Sequence, residues 1–312
     1  MYLKSTQTVS ALIALALAAL ALPSAAFAAD ATFDKTLSVS GAPTLSVTTG
    51  AGYIHISPGN DNQVRVVGHV HSSKGWFSSG GDADARVKEV AANPPIIQTG
   101  NIITIGQRNH SFQVMFHDLA IDYDITTPKS STVKAESGSG DLQLANLDGA
   151  VTAETGAGDV KAQNLGPNAK LGTGSGSIQA DGIRGAVSLE TGAGDVRLSQ
   201  AGAGDVKAST GSGSIRATGL AGGLKAETGS GDIEISGQPT ADWKLGSGSG
   251  SIRMTLGGAK FNLNAETGSG TVHLDQPITM QGEINRHHIH GTVNGGGPTI
   301  KAETGSGDIT IK

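Results

Sequence analysis

No cysteine occurs in the 312 residues, which excludes a disulfide framework and the lipidated cysteine of a bacterial lipoprotein. Stability has to come from packing and hydrogen bonds. Aromatic residues are only 4% of the chain, few for a protein that binds sugars by stacking them on exposed rings. Apolar runs are short. The longest, Ala11 to Leu22, is too brief to span a bilayer; with Lys4 before it and Ala26-Phe27-Ala28 after it, residues 1–28 read as an export signal cut after Ala28. No membrane span is expected after that cut. Removing Lys4 from 22 basic side chains leaves 21 against 27 acidic, a mature net charge of about −6. Such a balance attracts neither nucleic acid nor an anionic membrane surface. Also missing are a G-x-S-x-G nucleophile elbow, H-E-x-x-H and the phosphate-binding G-x-x-x-x-G-K.

What is present is one phrase written repeatedly. TGAGYIHI at 49 and SGSGDLQL at 137 are followed by TGAGDVKA (155), TGSGSIQA (173), TGAGDVRL (191), TGSGSIRA (210), TGSGDIEI (228), SGSGSIRM (247), TGSGTVHL (267) and TGSGDITI (304). From 137 to 267 the copies begin 18, 18, 18, 19, 18, 19 and 20 residues apart, and the last step of 37 reads as two periods with one copy degenerate. A fixed period of this size implies a solenoid whose units cannot bury their apolar faces alone. The many G-x-G tripeptides are corners rather than dinucleotide sites, because no helix follows them.

Within a copy, apolar positions alternate on both sides of the glycines: Val151/Ala153 with Val160/Ala162, Val187/Leu189 with Val196/Leu198, Leu224/Ala226 with Ile233/Ile235, Trp243/Leu245 with Ile252/Met254. Period two on each side of a turn predicts two short strands, each with one buried and one wet face. A further aliphatic (Leu147, Leu165, Ile183, Leu220) marks a second corner, closely followed by Gly149, Gly166-Pro167, Gly185 or Gly222. One rung buries too few aliphatics to offset the ordering of its residues, so stacking has to supply the rest. About ten rungs would make a rod roughly 45 to 50 Å long at the usual strand spacing, with right-handed crossovers as the default. The fold class expected is therefore all-β, a right-handed β-helix-like solenoid of about 18–19 residues per rung.

Residues 29–130 are less regular. VRVVGHV (64–70), IIQTGNIITI (96–105) and LAIDYDITTP (119–128) read as strands, and DADARVKEVAA (82–92) before Asn93-Pro94-Pro95 as one short helix. Because TLSVTTGAGYIHI (44–56) already has the form of the repeat, this part reads as irregular first coils ahead of the regular repeats at 131–312; a separate cap domain is the competing reading. The TGSGDI turns, the lead-in YDITTPKSSTVKAESGSGDLQL (123–144) and the ending HGTVNGGGPTIKAETGSGDITI (290–311) together resemble the bacterial β-strand-repeat proteins labelled putative adhesins, a family of unknown function. The resemblance implies an exported solenoid whose GSG corners join two sheets, and it brings no catalytic residues with it.

Candidate chemistry is sparse. Carboxylates flank alternate corners as Glu154/Asp159, Glu190/Asp195, Glu227/Asp232 and Glu303/Asp308, while the intervening rungs carry Gly172/Ser177, Ser209/Ser214 and Gly246/Ser251. Paired carboxylates at glycine corners can hold calcium; alternation with serine instead reads as spacing of like charges two rungs apart. Lys134, Lys170, Lys207, Lys225, Lys244 and Lys301 form a broken ladder, suited either to an acidic polymer or to ion pairs with glutamates on adjacent rungs. His287, His288 and His290, like His69 and His71 on a presumed edge strand, have the spacing of metal ligands but no Cys or acidic partner in the motif. Polysaccharide lyases and hydrolases on β-helices are the enzymatic alternative, yet they need long loops that these rungs lack. The sequence thus points to a non-enzymatic exported envelope protein with no catalytic, cofactor-binding or metal-binding residues. It would serve as an adhesin or scaffold for an unidentified envelope or surface partner, or else as a periplasmic regulatory or binding module. Ending on Thr310-Ile311-Lys312, a repeat strand, the chain would leave an open edge for weak end-to-end self-association.

Overall fold

The computed structural model describes residues 30–72, 81–106, 119–280 and 285–312; the export signal expected at 1–28 lies outside them. In the first part of the chain the elements are β1 (Asp30–Ser38), β2 (Thr44–Ala51), β3 (Ile54–Pro58), β4 (Gln63–Ser72), α1 (Gly81–Ala92), β5 (Ile96–Thr99), β6 (Ile102–Ile105) and β7 (Leu119–Thr127). The regular part follows with β8 (Thr132–Ser139), β9 (Leu142–Ala145), β10 (Val151–Ala157), β11 (Val160–Gln163), β12 (Ala169–Ser175), β13 (Ile178–Ile183), β14 (Val187–Ala193) and β15 (Val196–Gln200). It continues through β16 (Val206–Thr210), β17 (Ile215–Leu220), β18 (Leu224–Thr228), β19 (Ile233–Gly237), β20 (Trp243–Ser247) and β21 (Ile252–Thr255). Last come β22 (Phe261–Thr267), β23 (Val272–Leu274), β24 (Ile278–Met280), β25 (His288–Val293), β26 (Thr299–Thr304) and β27 (Ile309–Ile311).

These strands form two sheets, of 13 and 14 strands, that face each other across one core. From β8 to β21 each rung places one strand in the 14-stranded sheet, turns at the T-G-x-G corner, places the next in the 13-stranded sheet and returns at the second corner. Rungs stack in parallel with like residue on like: Val133, Val151, Ala169, Val187, Val206, Leu224 and Trp243 in one column, Leu142, Val160, Ile178, Val196, Ile215, Ile233 and Ile252 in another. All of these are buried. The alternation read from the sequence is thus the inward and outward parity of the strands. At the second corner Asn146 and Asn164 take left-handed φ values of 55° and 51°, and the Asn164 amide donates to the Asn146 side-chain oxygen at 2.9 Å. Asparagine tolerates that conformation because its short polar side chain bonds locally.

The short helix is where the charged run predicted it. Val87 and Val90, three apart on one face, are buried where α1 packs on β1 and β4, and Pro94-Pro95 follows its end.

Both ends of the stack depart from chain order. In the 13-stranded sheet β7 is inserted between β3, to which it is parallel, and β4, to which it is antiparallel. β6 extends the other sheet beyond β2, and β5 pairs antiparallel outside it. At the far end β26 lies between β20 and β22, and β27 between β21 and β23. The final rung of the chain is therefore an interior rung, which corrects the expectation that 310–312 form an open edge. The edge there consists of β23 in one sheet and β24 in the other. The 37-residue step does not hold a degenerate copy in line with the others either: β24 and β25 fold back antiparallel over the end, and the chain then returns to fill a slot left beside β20 and β21. Among the described residues no helix is long and apolar enough to cross a membrane.

Candidate functional site

Each letter of T-G-x-G-D has a separate physical task between rungs. The threonine side chain is buried, and its hydroxyl donates to the carbonyl of the second corner glycine in the neighbouring rung: Thr155 to Gly140, Thr173 to Gly158, Thr191 to Gly176 and Thr228 to Gly213, each at 2.8 Å. Ser247, Thr304 and Thr267 repeat this at 2.9, 2.7 and 2.8 Å. Glycine is required because the corners nearly touch: a Cβ on Gly156 would sit 2.5 Å from the Gly138 carbonyl oxygen, and one on Gly194, at φ +153°, 2.0 Å from that of Gly176. The aspartate accepts the backbone N–H of its counterpart one rung on, as from Ser177 to Asp159 (2.9 Å), Ser214 to Asp195 (3.0 Å), Ser251 to Asp232 (2.8 Å) and Thr271 to Asp308 (2.9 Å). The Thr271 amide and then its hydroxyl hold the Asp308 carboxyl below the usual carboxylate range. Where serine replaces aspartate, its hydroxyl accepts the next amide more weakly, at 3.3 Å from Asp195 and from Asp232.

This bonding changes the reading of the carboxylates. Charge spacing does not hold throughout either column, since Asp141 lies one rung from Asp159 and accepts its amide at 2.9 Å, and Glu136 stands directly beside Glu154. The two carboxylates of a corner also serve different ends: Asp159 takes a backbone amide while Glu154 pairs with Lys170. Among the described residues no group of three or more His, Asp or Glu is arranged to hold a metal ion.

On the outer face of the 14-stranded sheet, lysine and glutamate columns run side by side. The expected pairing between rungs is found for Lys170 with Glu154 (2.5 Å) and Lys244 with Glu227 (3.5 Å). Lys134, Lys225 and Lys301 instead pair within their own strands, with Glu136, Glu227 and Glu303 at 2.7, 2.8 and 2.6 Å. Hydrogen bonding to Lys225 first, and to Lys244 in addition, lowers the Glu227 carboxyl, and the Glu154 hydrogen bond raises the Lys170 ammonium. The glutamate column is interrupted by glycine twice. Gly172 lies between Glu154 and Glu190, and Gly246 between Glu227 and Glu303. Over each gap opens a surface cleft, of about 320 Å³ and about 610 Å³ respectively. Another groove, of about 590 Å³ at the second corner, is lined by Lys170, Lys207, Lys225, Asp205 and Asp242 among others; its aspartates are committed to the amides of Gly223 and Thr299.

The histidine groups do not form ligand sets. His287 Nδ1 lies 2.7 Å from the Gly270 carbonyl and His288 Nε2 3.2 Å from the Asn264 side-chain oxygen, while the His288 and His290 rings are 6.5 Å apart. His69 and His71 are on an interior strand, β4, rather than the edge strand expected. There the structure assembles a cluster the sequence did not reveal. Asp124 on β7 receives His55 Nδ1 from β3 (3.2 Å) and His69 Nε2 from β4 (3.4 Å), one at each carboxylate oxygen, and Tyr53 donates its hydroxyl at 3.0 Å. His71 approaches Asp122 at 3.8 Å. Tyr53 stacks on His55 at 4.3 Å, and burial, followed by the Asp124 hydrogen bond, pushes its phenol up to about 12. Two imidazoles reaching one carboxylate from strands on opposite sides make a bridge across the inserted strand, not a chelate.

Two unclosed sheets joined by stacked glycine corners, and bonded rung to rung by threonine and aspartate, define an all-β solenoid of short rungs. The chain belongs to the Toastrack DUF4097 family, whose model matches residues 44–312, the strand-repeat family of unknown function that the turns, lead-in and ending resemble. No curated protein matches it. Similar solved structures include a putative adhesin from Bacteroides fragilis (16% identity, 90% of this chain and 96% of that one, TM-score 0.33). Another is a putative cell adhesion protein from Clostridium sporogenes (14% identity, 91% and 99%, TM-score 0.26). A third is a putative adhesin from Parabacteroides merdae (11% identity, 90% and 96%, TM-score 0.33).

Proposed function

We propose that this is a non-enzymatic exported protein of the cell envelope that presents its solenoid faces to a surface or partner, as an adhesin or scaffold. The observation that carries the reading is the division of labour within a rung. Threonine, glycine and aspartate are engaged in bonds between rungs, whereas the outward lysines and glutamates of the 14-stranded sheet pair with one another at the surface, leaving a long, regular face for contact. The signal-like segment at 1–28 supports export. Protease accessibility on intact and on lysed cells tests the proposal. Cleavage on intact cells is the expected result; protection until lysis replaces adhesion with a periplasmic regulatory or binding module acting through a protein partner.

A further inference from the structure

Two glycines stand apart from all the corner glycines. Gly172 in β12 and Gly246 in β20 are mid-strand, outward-facing, and neither takes a left-handed φ. A Cβ at Gly172 would meet nothing nearer than Glu154 Cγ at 3.6 Å, and one at Gly246 only Glu227 Cγ at 3.9 Å. Neither packing nor backbone geometry asks for glycine there, and glycine weakens a strand, so its presence inside one marks a place where something else approaches the backbone closely.

The surroundings of the two glycines match. The local sequences are KLGTGSGSI at 170 and KLGSGSGSI at 244. In each, the lysine two residues before the glycine reaches back to the glutamate of the preceding rung, Lys170 to Glu154 and Lys244 to Glu227. A second glutamate closes the other side, Glu190 in the first cleft and Glu303 in the second, where Glu266 on the next strand adds a third carboxylate. Glu303 is there only because the final rung is inserted beside β20. Each cleft is therefore a bare backbone floor with carboxylate acceptors about 9.6 Å apart on its flanks and an ammonium donor at its rim. The two clefts lie four strands apart in the sheet order, about 19 Å along the stack.

We infer that these two glycine-floored clefts are paired subsites for one linear, neutral, hydroxyl-rich glycan running along the stack. Hydroxyls both donate and accept, so they match a rim that offers carboxylates and an ammonium together. Flanking glutamates repel a polyanion, and the adjoining column of Lys207, Lys225, Lys244 and Lys301 opposes a polycation. Exposed aromatic platforms are scarce, so a single cleft binds weakly; a polymer engaging both clefts gains by effective concentration. An extended sugar chain advances by about one strand spacing per unit, which lets one ligand keep register with successive rungs.

The inference rests on the proposed role in surface contact for its setting, but it is decided separately, with purified mature protein. The probes are soluble β-glucan, dextran and galactomannan as neutral chains, with polygalacturonate and poly-lysine as charged ones, measured by affinity electrophoresis and calorimetry. At least one neutral chain is expected to bind, its short oligomers far more weakly. Gly172→Thr and Gly246→Thr should each lower affinity for the polymer roughly tenfold or more by removing one of two contacts, and the double variant should abolish binding while its melting temperature stays at or above that of the parent. Failure of every neutral chain to bind, tighter binding of either charged polymer, or full binding by the double variant overturns the assignment. Protease protection in cells would end the adhesion reading without touching this result.

Discussion

Between β8 and β21 the order of strands in space is the order in the chain; at both ends it is not. The middle is held by one set of bonds repeated: a buried aliphatic column in each sheet, a threonine hydroxyl on a glycine carbonyl, an aspartate on the next amide. The ends use antiparallel pairs, a helix and strands threaded into slots, β7 between β3 and β4, β26 and β27 beside β20 and β21. The difference shows how a solenoid stops. A regular rung always offers its own edge to the next, so termination needs a segment that breaks the pattern and covers the edge. The edge strands at the far end, β23 and β24, are only three residues each. At the near end β1 carries Asp34, bonded to Arg65 at 2.6 Å, while the β5–β6 hairpin leaves Ile97 and Ile102 exposed at 48% and 57%.

The largest test of this contrast is deletion of residues 297–312. If the last rung were terminal, the loss would be one rung; because it is interior, β22 and β23 lose their parallel neighbours as well, and with them the support of β24 and β25. We expect destabilisation on the order of 5 kcal/mol or more, from the buried Ile300, Ala302, Ile309 and Ile311, with residues 261–296 becoming cleavable in limited proteolysis. Unchanged protection of that segment would contradict the insertion.

Gly194→Val attacks the middle. Its side chain would collide with the Gly176 carbonyl at a left-handed φ, which should cost roughly 3 kcal/mol or more, seen as a fall in the denaturation midpoint. Thr228→Val keeps the shape and removes the hydroxyl that satisfies the Gly213 carbonyl. A loss of about 1–3 kcal/mol is expected, with hydrogen exchange quickening first in the two rungs that share the bond. The smallest effect distinguishes the two kinds of glycine within the same rungs. Gly172→Thr should be neutral or stabilising by up to about 1 kcal/mol, because the site is open and β-branched residues suit strands. A clear loss of stability there would mean that this glycine is structural after all.

Much of this was legible in the sequence. Alternation in VTAETGAGDVKA named the inward residues, and the same parity, Val151, Ala153, Thr155, places the corner threonine inside, a signal that reading it as part of a turn obscures. The aspartate contacts were also readable in principle, since Asp or Ser recurs one rung apart where only a neighbouring amide is in reach. The cluster of His55, His69, Asp124 and Tyr53 was not, because its histidines and aspartate come from three strands, with Tyr53 just ahead of β3, and the neighbours of those strands are settled by the insertion of β7.

The sequence by itself determined the rung: its length, its corners and which side of each strand is buried, all of which are fixed by local periodicity and by contact with an identical neighbour. Only the tertiary structure decided which rung lies beside which at the ends. Copies of one pattern present equivalent edges to one another, so a strand such as β26 can pair beside any of them. The amide of Asp308 meets Ser251, 57 residues earlier, because the slot left by the chain's overshoot at β22 is where the last rung buries its aliphatics and pairs both of its edges.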